Sequence, residues 1–339
     1  MKWKYLTTLL RTVRIPGLFP IVRDWEACLR MHFVYAALES GLLEALSTPS
    51  SRDALIQKLN VRRQEILDAL LDVGLAVKEL AYRDGMYRIK GKRSKAITGS
   101  QGDMLAAMIQ ANVTYYSAAY RNAADRMRGA PLGNDLEKMG SLVARFSKIG
   151  EPFIRDFMTT IVSEKESIRV LDVGCGSGVF LQSVYSANGN ARGIGIDIDE
   201  QVVDQARQNM EKWGLRDRFS IVAGDILDPP RDLEGPFDFI TLYNVMYYFT
   251  AEKRPALIDR LRSMLPLNGI LAVAMHFQSK GKDLGAANLN MVNCSLEGLT
   301  HLPDLNGLTA QLEKSGFNGI KTQRLIPGST FYGVVAAKA

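Results

Sequence analysis

Residues 170–178, Val-Leu-Asp-Val-Gly-Cys-Gly-Ser-Gly, constrain this chain more than any other stretch. An apolar strand runs into three glycines, and a helical pattern follows at once over Val179 to Tyr185. A second strand, Arg192-Gly-Ile-Gly-Ile-Asp197, then ends on a carboxylate. A backbone turn that passes close to a bound nucleotide needs residues without Cβ. An acid at the tip of the next strand accepts both hydroxyls of a ribose. The spacing is Gly174-x-Gly176-x-Gly178, tighter than the G-x-G-x-x-G of a dinucleotide turn, and Asp172 sits inside it. A carboxylate there repels a pyrophosphate and suits a cationic ligand.

The rest of the C-terminal half repeats strand and helix. A helix over Glu200 to Trp213 stops at Gly214. Strand Phe219 to Val222 leads to Gly224-Asp225-Ile226, and Pro236 to Tyr243 reads as a buried strand behind a turn. A helix over Glu252 to Leu265 ends at Pro266 and Gly269 before strand Ile270 to Met275. Phe317 to Arg324 and Thr330 to Ala337 read as a closing hairpin. This alternation predicts an α/β fold with a doubly wound parallel sheet.

These motifs, in this order, resemble class I S-adenosylmethionine-dependent methyltransferases of the small-molecule O-methyltransferase-like family, over about residues 100–339. The resemblance implies a Rossmann-like seven-stranded sheet and an N-terminal winged-helix-like dimerisation domain. It divides the chain into a dimerisation domain (1–100), a helical linker and substrate lid (101–165) and a catalytic domain (166–339). It also implies S-adenosylmethionine as cofactor, released as S-adenosylhomocysteine. The implied cofactor residues are Phe146, Asp172, Gly174, Gly176, Gly178, Asp197, Ile198, Gly224, Asp225, Ile226 and Asn244, with Asp225 facing the adenine amino group.

The N-terminal half fits a helix-rich module. Helical spacing covers 24–46, then Thr48 to Leu59 and Val61 to Leu71 form a helix-turn-helix pattern. Strands Ala76 to Leu80 and Met86 to Ile89 follow, joined by Asp84-Gly85, a hairpin signal. In a DNA-binding winged helix the second helix presents polar and basic side chains. Here it offers Arg62, Arg63 and Gln64 only at its start, then Ile66, Leu67, Ala69, Leu70 and Leu71. That pattern favours a dimerisation role without nucleic acid.

The net charge of +6 is uneven: residues 1–166 hold 25 Lys+Arg against 18 Asp+Glu, and residues 167–339 hold 17 against 18. The densest basic run, Arg88 to Lys95, is read as a solvated wing. The basic, amphipathic arm with Trp3, Tyr5, Leu6, Leu9, Leu10 and Pro16 is read as packing on a dimer partner. No apolar run is long enough for a membrane span, and no signal-peptide core is present, so a cytoplasmic protein is expected. Cys28, Cys175 and Cys294 have no metal spacing, nor do Asp225, Asp228 and His276, so no metal is expected.

The acceptor side departs from the family. Phenol O-methyltransferases place a general-base histidine just after the fourth strand, and Tyr247 stands there in Tyr243-Asn-Val-Met-Tyr-Tyr-Phe-Thr250. A hydroxyl acceptor must lose a proton near the transition state, and neutral tyrosine is a poor base. A thioether acceptor has no proton to lose, and aromatic faces can hold its developing sulfonium. Tyr115, Tyr116, Phe146, Tyr243, Tyr247 and Tyr248 are candidates for such a cage. A tertiary amine fits the same logic. Asp103-Met-Leu-Ala-Ala, Gln110 to Tyr116, Leu142 to Pro152 and Gly285 to Asn290 further resemble bacterial S-methyltransferases that act on 4-methylthio-2-hydroxybutyrate in dimethylsulfoniopropionate synthesis. That resemblance implies a small acceptor with thioether, hydroxyl and carboxylate. Arg145 or Lys148 would hold the carboxylate, and His276, Asn290 and Asn293 would bond the polar groups. An O- or N-methyltransferase on another small molecule, with His276 or Tyr247 as substitute base, stays open.

Overall fold

A computed structural model describes residues 18–100, 102–163, 166–231, 233 and 235–339; the N-terminal arm and its Trp3 to Pro16 lie outside the described residues. The chain divides into two compact units, residues 1–114 and 115–339. No helix among the described residues is long and apolar enough to cross a membrane.

The first unit contains α1 (Leu18–Glu39), α2 (Leu42–Ala45), α3 (Arg52–Lys58), α4 (Gln64–Ala76), β1 (Leu80–Arg83), β2 (Met86–Ile89), α5 (Lys92–Ile97) and α6 (Gly102–Ala111). The predicted helix over 24–46 is broken at Gly41, whose φ of 73° reverses the chain. The helix expected from Thr48 begins later, at Arg52. Ser50 is bonded to Tyr87 of β2 through both backbone groups, and the Ser51 hydroxyl caps α3 by accepting the Ala54 N–H. The first wing strand lies at 80–83 instead of 76–80, because α4 runs through Ala76 and Lys78 turns the chain at φ 63°. Asp84 and Gly85 both have positive φ, 54° and 76°, as a two-residue type I′ hairpin requires. Phe33, Leu42, Leu55, Leu71 and Leu80 fill the core. Arg62 and Arg63 are exposed ahead of α4, while Leu67 and Leu71 of that helix are buried.

A π-turn, Asn112–Tyr116, spans the division between the units. The second unit follows with α7 (Ser117–Arg121), α8 (Ala123–Met127), α9 (Leu136–Ser147) and α10 (Glu151–Val162). Then β3 (Arg169–Val173), α11 (Val179–Ala187), β4 (Arg192–Asp197), α12 (Glu200–Lys212) and β5 (Phe219–Ala223) alternate. After them come β6 (Phe239–Tyr243), a 3-10 turn (Met246–Tyr248), α13 (Arg254–Ser263), β7 (Ile270–His276), α14 (Leu284–Asn293), α15 (Leu305–Lys314), β8 (Phe317–Arg324) and β9 (Phe331–Lys338).

The seven strands run in the order β5-β4-β3-β6-β7-β9-β8, parallel except for β9. Parallel strands covered on both faces read as continuous apolar runs, and every residue of β6 is buried. One core cluster holds Leu171, Ile240 and Leu242, and the other holds Val170, Phe239 and Tyr243. These alternating residues place the clusters on opposite faces of the sheet. The strand order reverses at β3, and ligands of such sheets bind where that reversal opens a crevice beyond the carboxyl ends.

Candidate functional site

The glycine turn leaves β3 at this crevice. Gly174, Gly176 and Gly178 have φ of 68°, 53° and 78°, which side chains with Cβ rarely adopt. A Cβ on Gly174 would lie 2.5 Å from Val245, and one on Gly178 would collide with Met210 of α12. A Cβ on Gly176 would meet nothing within 4 Å. Two glycines therefore admit neighbours, and the third faces open space. The turn is fixed by the Gly174 and Cys175 N–H groups on the Ile196 carbonyl and by the Gly176 N–H on Asp197 Oδ2 at 2.9 Å. Ile198 stands 74% exposed just past Asp197. Gly224 donates its N–H to the Asp197 carbonyl, tying the β4 and β5 tips together. Asp225 is exposed and accepts the Leu227 N–H, whereas Ile226 is buried in the core. Asn244, at φ 57°, donates its N–H to Ala274.

Asp172 is 2% exposed. It pairs in register with Thr241 of β6, whose hydroxyl donates to its Oδ1 at 2.6 Å. The other oxygen, Oδ2, is buried with no partner among the described residues. Burial, opposed by the Thr241 bond and helped by the Asp197 charge, pushes this carboxyl up to about 7. A buried carboxylate with a free oxygen, behind a glycine turn that opens onto space at Gly176, fits the cationic methionyl end of S-adenosylmethionine. Asp197 ends the next strand, its two carboxylate oxygens accepting the Gly176 and Asp199 N–H groups, with exposed Ile198 beside it. Cys175 is buried beside the turn and its thiol is pushed up by burial, so it is packing and not a nucleophile.

Beyond Val245, which packs on Gly174 of the turn, three tyrosines gather. Tyr247 is 8% exposed, and its ring lies 5.1 Å from that of Tyr248 at 32°. Burial, then the nearby Tyr248 and Tyr116 hydroxyls, raises its phenol well above the ordinary value. Tyr116 is buried, and burial raises its phenol too. Tyr248 is half-exposed and feels Asp197 as well as burial. Tyr115 is half-buried in the π-turn. Sequence reasoning missed what holds this group. Thr300 donates both its N–H and its hydroxyl to the Tyr247 carbonyl, at 2.8 and 2.9 Å. Arg254 donates to Thr300 Oγ1, to the His301 carbonyl and to the Phe249 carbonyl.

The remaining candidates lie on α9, β7 and α14. Asn290 Oδ1 accepts the Leu302 N–H and so anchors that loop. Asn293 is buried, with an amide nitrogen that bonds nothing among the described residues. His276 packs on the Phe331 ring at 4.9 Å, and its Nδ1 lies 3.8 Å from Asp283, too far for a hydrogen bond. Burial lowers its pKa, so the imidazole is neutral near pH 7. Asp283 is itself committed to capping α14 through the Ala286 N–H and to holding Thr330. Arg145 and Phe146 are half-buried on α9, and Lys148 is exposed beyond its end.

The family described as a methyltransferase domain matches residues 170–269. A protein of Haemophilus influenzae is 30% identical over 139 residues, covering 41% of this chain and 54% of that protein. The chain thus spans about half the length of that relative. Demethylspheroidene O-methyltransferase of Cereibacter sphaeroides is 26% identical over 266 residues, 71% of this chain and 66% of that enzyme. The crystal structure of human N-acetylserotonin methyltransferase with S-adenosylmethionine superimposes with a TM-score of 0.72 at 16% identity, covering 96% of this chain and 99% of that one. Residues 170–269 thus match a methyltransferase domain, and nearly the whole chain shares the fold of that human methyltransferase.

Proposed function

We propose that this chain is an S-methyltransferase that methylates a thioether, with 4-methylthio-2-hydroxybutyrate as acceptor and 4-dimethylsulfonio-2-hydroxybutyrate as product, on a route to dimethylsulfoniopropionate. One observation carries the reading. Tyr247 lies in the 3-10 turn just after the fourth parallel strand, buried, with a phenol held well above its ordinary pKa. It cannot serve as a base near neutral pH. The cofactor, when bound, supplies an electrophilic methyl group on a sulfonium. The Tyr116, Tyr247 and Tyr248 rings give a sulfur acceptor an aromatic surround, and cation–π contact with a buried ring contributes about 0.5–2 kcal/mol. No proton moves, so catalysis rests on alignment and on exclusion of water. Arg145 or Lys148 is proposed for the acceptor carboxylate, and the unpaired Asn293 amide supports a polar anchor for the acceptor. The protein works as a homodimer through its first unit in this reading; Ile21, Val22 and Trp25 of α1 form apolar surface that a second copy would cover. Mass spectrometry of the product tests the chemistry. A permanently cationic sulfonium supports it, and a neutral ether overturns it.

A second reading, O-methyl transfer, draws on His276. Its imidazole is neutral and lies 3.8 Å from the Asp283 carboxylate, an arrangement that can accept a proton. The similarity to an O-methyltransferase over 71% of the chain supports it. A catechol or other phenol would then be methylated, and His276→Gln would abolish that turnover.

A further inference from the structure

Tyr243 closes β6 on the same face of the sheet as Asp172 and Thr241, since β3 and β6 run in register and side chains alternate. It is 5% exposed, and its hydroxyl is buried with no hydrogen-bond partner among the described residues. The ring packs edge-on against Phe180, 4.9 Å between centroids, and Phe180 lies in the first turn of the helix that leaves the glycine motif. The phenol also feels the charge of Asp172. Two adjacent strands therefore bring two unpaired, deeply buried polar atoms to the base of one turn, Asp172 Oδ2 and Tyr243 Oη. Neither is explained by packing. Phenylalanine at 243 would fill the same space without burying an unbonded hydroxyl, which is costly.

The two atoms differ in kind. Ionised, Asp172 Oδ2 accepts only, and attracts a cation. Tyr243 Oη donates a hydrogen bond and suits an anion. A ligand that satisfies both at short range carries an ammonium and a carboxylate on one carbon, an α-amino acid group. We propose that the Tyr243 hydroxyl is a specificity determinant of the cofactor site, donating to the carboxylate of the cofactor's α-amino acid end while Asp172 holds the ammonium. The pair distinguishes S-adenosylmethionine and S-adenosylhomocysteine from adenine thionucleosides that lack the amino acid. This concerns the cofactor alone and stands whichever acceptor is methylated.

The test is calorimetric and needs no turnover. Wild type and Tyr243→Phe are titrated with S-adenosylhomocysteine and with 5′-methylthioadenosine, which keeps the nucleoside and lacks the amino acid. A hydrogen bond to a charged group predicts that Tyr243→Phe weakens S-adenosylhomocysteine about ten- to a hundredfold and leaves methylthioadenosine within about twofold. Equal losses for both ligands, or no loss for either, overturn the proposal. If the phenylalanine variant fails to fold, 3-fluorotyrosine at position 243 keeps the ring and strengthens the donor. Tighter S-adenosylhomocysteine binding then supports the assignment, and unchanged affinity overturns it.

Discussion

Cofactor affinity should depend on pH through Asp172. In the cofactor-free protein this carboxyl is held up to about 7, chiefly by burial. Pairing with an ammonium requires the ionised form, so binding releases the proton that the free protein carries. The affinity is reduced by the factor 1 + 10^(pKa − pH). That factor is about 11 at pH 6 and about 1.1 at pH 8, so affinity rises about tenfold between them, as linkage requires. Calorimetry with S-adenosylhomocysteine at pH 6, 7 and 8, in two buffers of different ionisation heat, measures both affinity and protons. About 0.9 proton should be released per site at pH 6 and about 0.1 at pH 8, on the same linkage. Asp172→Asn should bind weakly at every pH and show no proton release from this site. Affinity that is flat, or that falls as pH rises, would refute the assignment of Asp172 to the cationic end of the cofactor.

Three further outcomes follow from the geometry. The folded protein binds a proton at Asp172 that the unfolded chain lacks between about pH 4 and pH 7, so stability of the cofactor-free protein falls as pH rises through that window. Asp172→Asn should then raise the melting temperature at pH 8 by an amount corresponding to about 1–4 kcal/mol, seen by calorimetry, while cofactor affinity drops. Asp197→Ala should weaken cofactor binding by about 2–4 kcal/mol, through lost ribose bonds and a loosened Gly176 turn; unchanged affinity would place the ribose elsewhere. Tyr247→Phe should keep kcat within about tenfold, since it keeps the ring face, and a thousandfold loss would point to proton transfer by the hydroxyl.

Much of the cofactor side was legible because its signals are local. Strand, glycines, helix and acid follow one another in sequence, and every one of the three motif glycines has the positive φ its role requires. The closing hairpin and the Asp84-Gly85 turn were legible for the same reason. Boundaries failed where tertiary pairing overrides local pattern. Ser50 joins β2 instead of opening α3, and Ala76-Val-Lys-Glu alternates like a strand yet ends a helix at left-handed Lys78. The contacts that define the site lie far apart in the chain. Thr241 reaches Asp172 across 69 residues, and Thr300 reaches the Tyr247 carbonyl across 53. Only strand register or loop packing brings them together. Asn290 illustrates the converse: its residue type suited substrate binding, but its carbonyl oxygen anchors Leu302.

The central claim is thioether methylation without a general base. A turnover assay that follows S-adenosylhomocysteine release, offering 4-methylthio-2-hydroxybutyrate beside methionine and a catechol, tests it most directly. The account predicts turnover on the hydroxy acid alone. Turnover on the catechol and none on the hydroxy acid would contradict it and move the chemistry to His276.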